Sequence, residues 1–360
     1  MGATVTTTTV TNIEQTGASL SASYTGASSK PAEVGFRYGT SSSSLTKTVK
    51  CYNYSGTASS FSADVEDLSA GTTYYVQSYV VVDGQTFTGS VTSFKTVATQ
   101  VPAVSGKSWL ELPGAVSGSN YLVNTYYDGS GDANRNYTHC YDKSTYTSLW
   151  TAYHLNSSHM GSLSRPNGWS FSPSISESLQ VDLTGSSYND NYSRGHMIPN
   201  ASRNGIKNMQ LQTFYVTNAV PQIQDNFNGG IWQNLEAALQ SIAEDEEIYI
   251  VTGVAFNKVG ETKSVTYTTA KDDTKSVPVP NYFYKVALKV KMSGTSVTSA
   301  SAVGFWFEHK TYSDSYTNYV VSVDQIETWT GFDFFVNLPD TVEAEAEKET
   351  NDSWSTFQSF

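Results

Sequence analysis

From Ala3 to about Thr96, apolar and polar positions alternate in short runs: TVTTTTV, ASLSASYT, EVGFRYG, SFSADVEDL, TYYVQSYVVV and QTFTGSVTSFKT. Alternation with a period of two, interrupted by Gly, Ser and Asp, predicts strands with one buried and one wet face, and so many of them predict a β-sandwich. Asp83-Gly84, inside VVVDGQTF, predicts a tight hairpin turn. Residues 98–107 are poor in apolar side chains and carry Pro102 and Gly106, which predicts a linker. The pattern then changes. Long aromatic runs (EIYIVTGVAF, NYFYKVALKVKM, SAVGFWFEH) predict strands buried more deeply, while GGIWQNLEAALQSIAEDEE sets Ile231, Leu235, Ala238, Leu239 and Ile242 at helical spacing behind a double glycine. The expected organisation is an all-β sandwich over residues 3–97, a linker at 98–107, and an α+β domain over 108–360 that ends in an acidic tail.

Composition adds the setting. Of 360 residues only 15% are charged, and 24 are Tyr. A Ser/Thr/Tyr-rich, charge-poor chain suggests a largely β, exported protein. No apolar run approaches the roughly 18 residues that span a membrane. Met1-Gly2-Ala3 lacks the basic and apolar regions of a signal peptide, so a secreted, periplasmic or cell-surface protein is expected to have had its signal removed. Cys51 and Cys140 could pair or remain free thiols.

A net charge of −12 excludes a broad basic surface that grips polyanions. Its distribution is uneven, however. Residues 191–210 hold Arg194, Arg203 and Lys207 and no carboxylate, whereas the tail from Pro339 holds six acidic residues against Lys348. The basic island is a weak hint of anion binding, with a solvated loop as the alternative.

Within that island lies NYSRGHMIPN, followed by TFYVTNAVPQIQDNFNGGIWQNLE. Arg-Gly-His alone carries little information, and a lone histidine is more often structural than catalytic. The ordered series is more specific: SRGH (Ser193–His196), TNAVPQ (Thr217–Gln222) and NGGIWQNLE (Asn228–Glu236), preceded by LWTAYHL and SRPNGWSFSP and followed by VPNYFYKVAL and VSVDQIETWTGFDFFVNLP. From about residue 108 to 356 the chain resembles the DNA/RNA non-specific endonuclease family, the endonuclease G-like ββα-metal (His-Me finger) nucleases. The segment LSAGTTYYV in turn resembles the tyrosine-corner segment of a fibronectin type III domain, with Ala70 in place of a proline.

The second resemblance implies a spacer or a module that docks a protein or glycan; the first implies a Mg²⁺-dependent enzyme, with Mn²⁺ an alternative ion, whose substrates are DNA and RNA. By resemblance, His196 is the general base for water, Asn228 ligates the metal, and Glu236 holds metal-bound water. Arg194 and Arg165 grip the phosphate, since a guanidinium can engage two phosphate oxygens. Each has a plainer alternative: Asn228 as a helix N-cap, Glu236 as a solvated carboxylate, Arg165 as a surface residue. Gly195 is expected to allow a close approach or a positive φ. His139, His154, His159 and His309 read as structural.

Ser193 stands where the family usually has Asp, which removes a charge from beside the metal; Asp190 is a candidate to compensate. That substitution leaves a second reading open, a degenerate nuclease fold serving as a binding or adhesion protein through its first domain. A glycan-directed enzyme, suggested only by the abundance of Tyr and Trp, is the third.

Overall fold

The computed structural model describes residues 2–13, 16–69, 72–96, 109–129, 134–348 and 353–360. The chain divides into two compact units, residues 1–100 with 117–120, and residues 101–116 with 121–360. The linker expected at 98–107 lies outside the described residues, as does Ala70.

The first unit is built of strands alone. β1 (Thr4–Val5) and β2 (Thr9–Thr11) pair along one edge of β3 (Ala18–Thr25), and β6 (Ser59–Val65) pairs along the other. A second sheet joins β5 (Lys47–Cys51), β4 (Glu33–Gly39) and β7 (Thr73–Val82), with β8 (Gln85–Thr88) and β9 (Thr92–Lys95) at successive stretches of β7. Leu20, Ala22 and Phe61 from the first sheet meet Val34, Phe36, Val76 and Val80 from the second in one core, as the alternation predicts. Asp83 and Gly84 both have positive φ, the geometry of the expected hairpin turn. The Tyr74 hydroxyl accepts the Ser69 N–H at 2.9 Å. β5 escaped the sequence pattern because nearly all of it is exposed or half-exposed, which leaves no apolar alternation to read.

The second unit centres on an antiparallel sheet in the order β10 (Tyr121–Tyr127), β11 (Arg135–Asp142), β12 (Thr147–Leu155), β15 (Ile248–Ala255), β18 (Tyr282–Ser293), β19 (Ser296–Glu308), β20 (Val320–Val321). Both faces are covered. Tyr153, Ile250, Phe283 and Val303 belong to one core, while Trp150, Tyr249, Tyr284 and Trp306 belong to another. That double burial is why these strands read as continuous apolar runs rather than as alternation.

α3 (Val323–Thr330) and α4 (Asp340–Glu347) contribute Ile326 and Ala346 to the second core, and α5 (Ser353–Ser359) contributes Phe357 to the first. Within the acidic tail expected beyond Pro339, the described residues form α4 and α5. Its apolar residues, spaced among the carboxylates, are what bury it.

Adjacent strands of this sheet are neighbours in sequence except β15 and β18, separated by a smaller strand pair, and β12 and β15, where Leu155 pairs with Ile248. Residues 156–247 run out and back between them. This insertion holds the two-stranded pair β13 (Tyr192–His196) and β14 (Ala219–Ile223), the short α1 (Lys207–Gln212), and α2 (Gln233–Asp245), which lays Leu235, Leu239 and Ala243 on the sheet. The smaller pair β16 (Thr266–Thr268) and β17 (Val277–Val279) follows β15. Cys51 and Cys140 are both buried and free, one in each unit. No helix among the described residues is long and apolar enough to cross a membrane.

Arg203, one of the three cations of the basic island, is not an anion site. It is fully buried and donates to Asn136 Oδ1 and O, His154 O and Ser202 O at 2.6–2.8 Å, tying the insertion to the sheet. Lys207 is exposed. Replacing Arg203 with Met orphans four buried acceptors and should cost on the order of 3 kcal/mol of unfolding free energy. Chemical denaturation followed by circular dichroism tests this; an unchanged midpoint would mean the guanidinium is dispensable.

Candidate active site

β13 and β14 pair antiparallel, with Ser193 opposite Gln222 and His196 opposite Ala219. Gly195 serves close approach and not a positive φ: any Cβ there would collide with the Gln222 side chain. Asn218, fully buried, accepts from Ile198 N at 3.0 Å and donates to Ile198 O at 3.0 Å and Thr213 O at 2.8 Å. The turn leaving His196 is thereby pinned on both sides.

The His196 ring lies 4.6 Å from that of Trp169 and 4.9 Å from that of Phe214, centroid to centroid, and its Nε2 has no hydrogen-bond partner among the described residues. Burial, reinforced by Arg165 and Arg194, pushes the imidazole down to about 3. The ring is therefore held in its neutral form at physiological pH.

Between β14 and α2 the backbone follows a wide, interrupted helical path, Gln224–Trp232, with non-helical dihedrals at Asp225, Asn226, Gly229 and Gly230. Phe227 is buried completely, its ring 5.9 Å from Trp232 and 5.2 Å from Phe283, and this fixes the next residue, Asn228. Asn228 Nδ2 donates to Ser193 Oγ at 3.0 Å and to Gln224 Oε1 at 3.1 Å. With both N–H groups spent on protein, its Oδ1 is the atom left for a ligand. No side chain caps this segment or α2, so Asn228 is not an N-cap.

Glu236, one turn into α2, faces the sheet. Its Oε1 lies 3.4 Å from Nζ of Lys285, a lysine with no exposed surface that also donates to Thr252 Oγ1 at 2.7 Å and sits 4.3 Å from the Trp232 ring. Burial raises the carboxyl's pKa and lowers the ammonium's, and their attraction opposes both shifts. Glu236 is thus no solvated helix-face carboxylate.

Arg194 donates to Leu183 O at 2.8 Å and lies 5.2 Å from the Trp169 ring; Arg165 is exposed and lies 5.0 Å from the Phe214 ring. Neither forms an ion pair among the described residues. Arg165, Arg194, His196, Asn228 and Glu236 all line one open cleft of about 590 Å³. Two cations, a neutral imidazole, an amide oxygen and a carboxylate suit an anionic substrate with a hard, oxygen-seeking divalent cation, which Asn228 Oδ1 and the free oxygen of Glu236 could hold.

The sequence profile of the DNA/RNA non-specific endonucleases matches residues 118–341. The chain belongs to the DNA/RNA non-specific endonuclease family. Membership makes it an enzyme that hydrolyses nucleic acids. Among its relatives, a nuclease of Nostoc sp. is 29% identical over 223 residues, 60% of this chain and 76% of that protein. The mitochondrial nuclease EXOG of Mus musculus is 31% identical over 172 residues, 46% of this chain and 45% of the relative. The EndoG/EndoGI crystal structure shares the fold, with a TM-score of 0.50 at 20% identity over 62% of this chain and 91% of that one.

Ser193, expected from the resemblance to replace an Asp, has surroundings that give it a purpose. Its hydroxyl donates to Gln222 O at 2.9 Å and accepts from Asn228, so it orients the amide. Asp190 does not compensate for the missing charge: it is exposed, outside the cleft, and bound by Thr268 Oγ1 at 2.9 Å. Lys285, Trp169 and Phe214 were not singled out by motif. A lone lysine within the apolar run NYFYKVAL was the available signal for Lys285; the aromatic bed left none, because Trp and Phe are ordinary core residues. His309 is structural, as expected, accepting from Ile223 N at 2.8 Å and bonding Pro280 O at 2.9 Å.

The depressed imidazole gives a direct test. With a folded pKa below the unfolded value, His196 binds protons only in the unfolded chain between about pH 6.5 and 3, so its contribution to stability is present above that window and fades as pH falls through it. Its ¹H–¹³C Cε1 resonance should stay at the neutral position from pH 8 to 5; a midpoint near 6.5 would contradict the burial and cation field described. Separately, Ser193→Ala should weaken Mg²⁺ binding in the cleft several-fold by calorimetry, and an unchanged affinity would show that Gln224 alone holds the amide.

Proposed function

We propose that this chain is a Mg²⁺-dependent, sugar-non-specific endonuclease that cuts both DNA and RNA, with His196 as the general base. The observation that carries this reading is the convergence of Arg165, Arg194, His196, Asn228 and Glu236 on one cleft from separate stretches of the insertion. Arg165 and Arg194 receive the scissile phosphate. Neutralising those two cations also removes part of the field that depresses His196, so the base strengthens when substrate arrives.

The His196 imidazole takes the proton of the attacking water. Ser193 and Gln224 hold the Asn228 amide with its oxygen toward the cation, while Lys285 offsets the charge of Glu236 and leaves the second carboxylate oxygen for water. Asn228 Oδ1 and the Glu236 carboxylate would hold a divalent cation, which would supply positive charge to the departing 3′-oxygen; that cleavage leaves a 5′-phosphate.

The degenerate-scaffold reading rested on Ser193, and it loses ground because the hydroxyl sits where it orients Asn228. For the first unit, the strand pairing and the Ser69–Tyr74 hydrogen bond support a fibronectin type III-like module that serves as spacer or docking domain. Export to the periplasm or beyond remains part of this proposal on compositional grounds.

Nicking of supercoiled plasmid, and cleavage of a single-stranded RNA, should occur with Mg²⁺ and stop with EDTA. His196→Ala should lose about 10²–10⁴ in rate while keeping the wild-type circular dichroism spectrum. Cleavage by that variant at the wild-type rate would remove His196 from the chemistry; no cleavage by the wild type with any divalent cation would return weight to the scaffold reading.

A further inference from the structure

Far along the chain from the cleft residues, three carboxylates converge on the other face of the sheet. Asp324 and Glu327 come from α3 and Glu347 from the end of α4, with one oxygen of each lying within 4.8 Å of the others. An acidic group of this kind at a surface would mean little. Glu347 changes that: it is only 5% exposed, and its Oε1 is buried with no hydrogen-bond partner among the described residues.

Among the described residues, no basic group forms an ion pair with these carboxylates. The adjacent Lys348 is paired with Glu345, and the groups acting on Glu347 are Glu327, Glu343, Asp324 and Asp333, all acidic. Burial and these neighbours push Glu347 up to about 10. The helices cannot separate to relieve the repulsion, because Val323 and Ile326 of α3 and Ala346 of α4 share one core. Glu327 is itself held in place, its Oε1 accepting the Phe334 N–H at 2.7 Å.

We propose that Asp324, Glu327 and Glu347 bind a divalent cation of the calcium type that fastens α4 to α3. An all-carboxylate donor set is hard oxygen, with neither the imidazole nor the thiolate that selects zinc. Calcium accepts several protein carboxylates in a flexible shell at about 2.3–2.6 Å, whereas magnesium demands a tight octahedron and sheds its waters reluctantly. Binding draws the three charges onto one ion and replaces the missing partner of Glu347 Oε1. It stabilises the fold in proportion to its occupancy and takes no part in the cleft chemistry.

The test is the melting temperature of the full-length protein, stripped with chelator and titrated with CaCl₂, alongside Glu347→Gln, Asp324→Asn and Asn228→Ala. Calcium should raise the wild-type and Asn228→Ala midpoints by several degrees. Glu347→Gln should lose that response. Asp324→Asn, an exposed change that leaves the packing alone, should weaken the calcium dependence about tenfold and keeps the test valid if Glu347→Gln does not fold. A wild-type midpoint indifferent to calcium would overturn the proposal. So would a calcium response lost in Asn228→Ala but retained in Glu347→Gln and Asp324→Asn, which would place the ion in the cleft.

Discussion

Beneath the cleft, Glu236 and Lys285 meet, and each is tolerable there only because of the other. A lysine with no exposed surface would ordinarily surrender its proton, and a carboxylate packed against a sheet would ordinarily take one up. Joined across 3.4 Å, they let α2 lie directly on β18 with a charge in its first turns. The position of α2 sets where the Gln224–Trp232 segment can end, that segment sets Asn228, and Asn228 is held in turn by Ser193 on β13. The cleft is therefore built outward from one buried ion pair, and breaking either half would displace residues that touch neither.

A second electrostatic feature acts above that base. His196 lies against aromatic rings and within the field of two arginines, an environment that keeps it free of protons. The arrangement holds the imidazole in its neutral form. In the proposed reaction, a phosphate docking on the two cations would strengthen the base through charge alone.

The sequence revealed the fold most clearly where burial is one-sided or complete. β3 and β7 were readable because period-two alternation marks a sandwich face, and β15, β18 and β19 because burial on both faces leaves unbroken apolar runs. β5 was not readable, since an exposed strand has no pattern to show. The acidic tail was legible as charge alone; that Ala346 and Phe357 dock its helices shows only in the fold. At the site, the motif series identified residues that face the cleft. It could not reveal Lys285 as the partner of Glu236, because that pairing exists only once β18 and α2 are stacked, nor the use of Ser193, whose value depends on an amide brought close by the fold of a distant segment.

The run of chain between β12 and β15 leaves from Leu155 and returns at Ile248, two residues paired directly across the sheet. Its ends are therefore neighbours, and the sheet would close with or without what lies between them. The residues that line the cleft thus belong to one segment set into a single joint of the sheet. Such an arrangement allows the chemistry to diversify by exchange of one contiguous segment, subject mainly to the few framework positions, Lys285 foremost, that reach up to meet it.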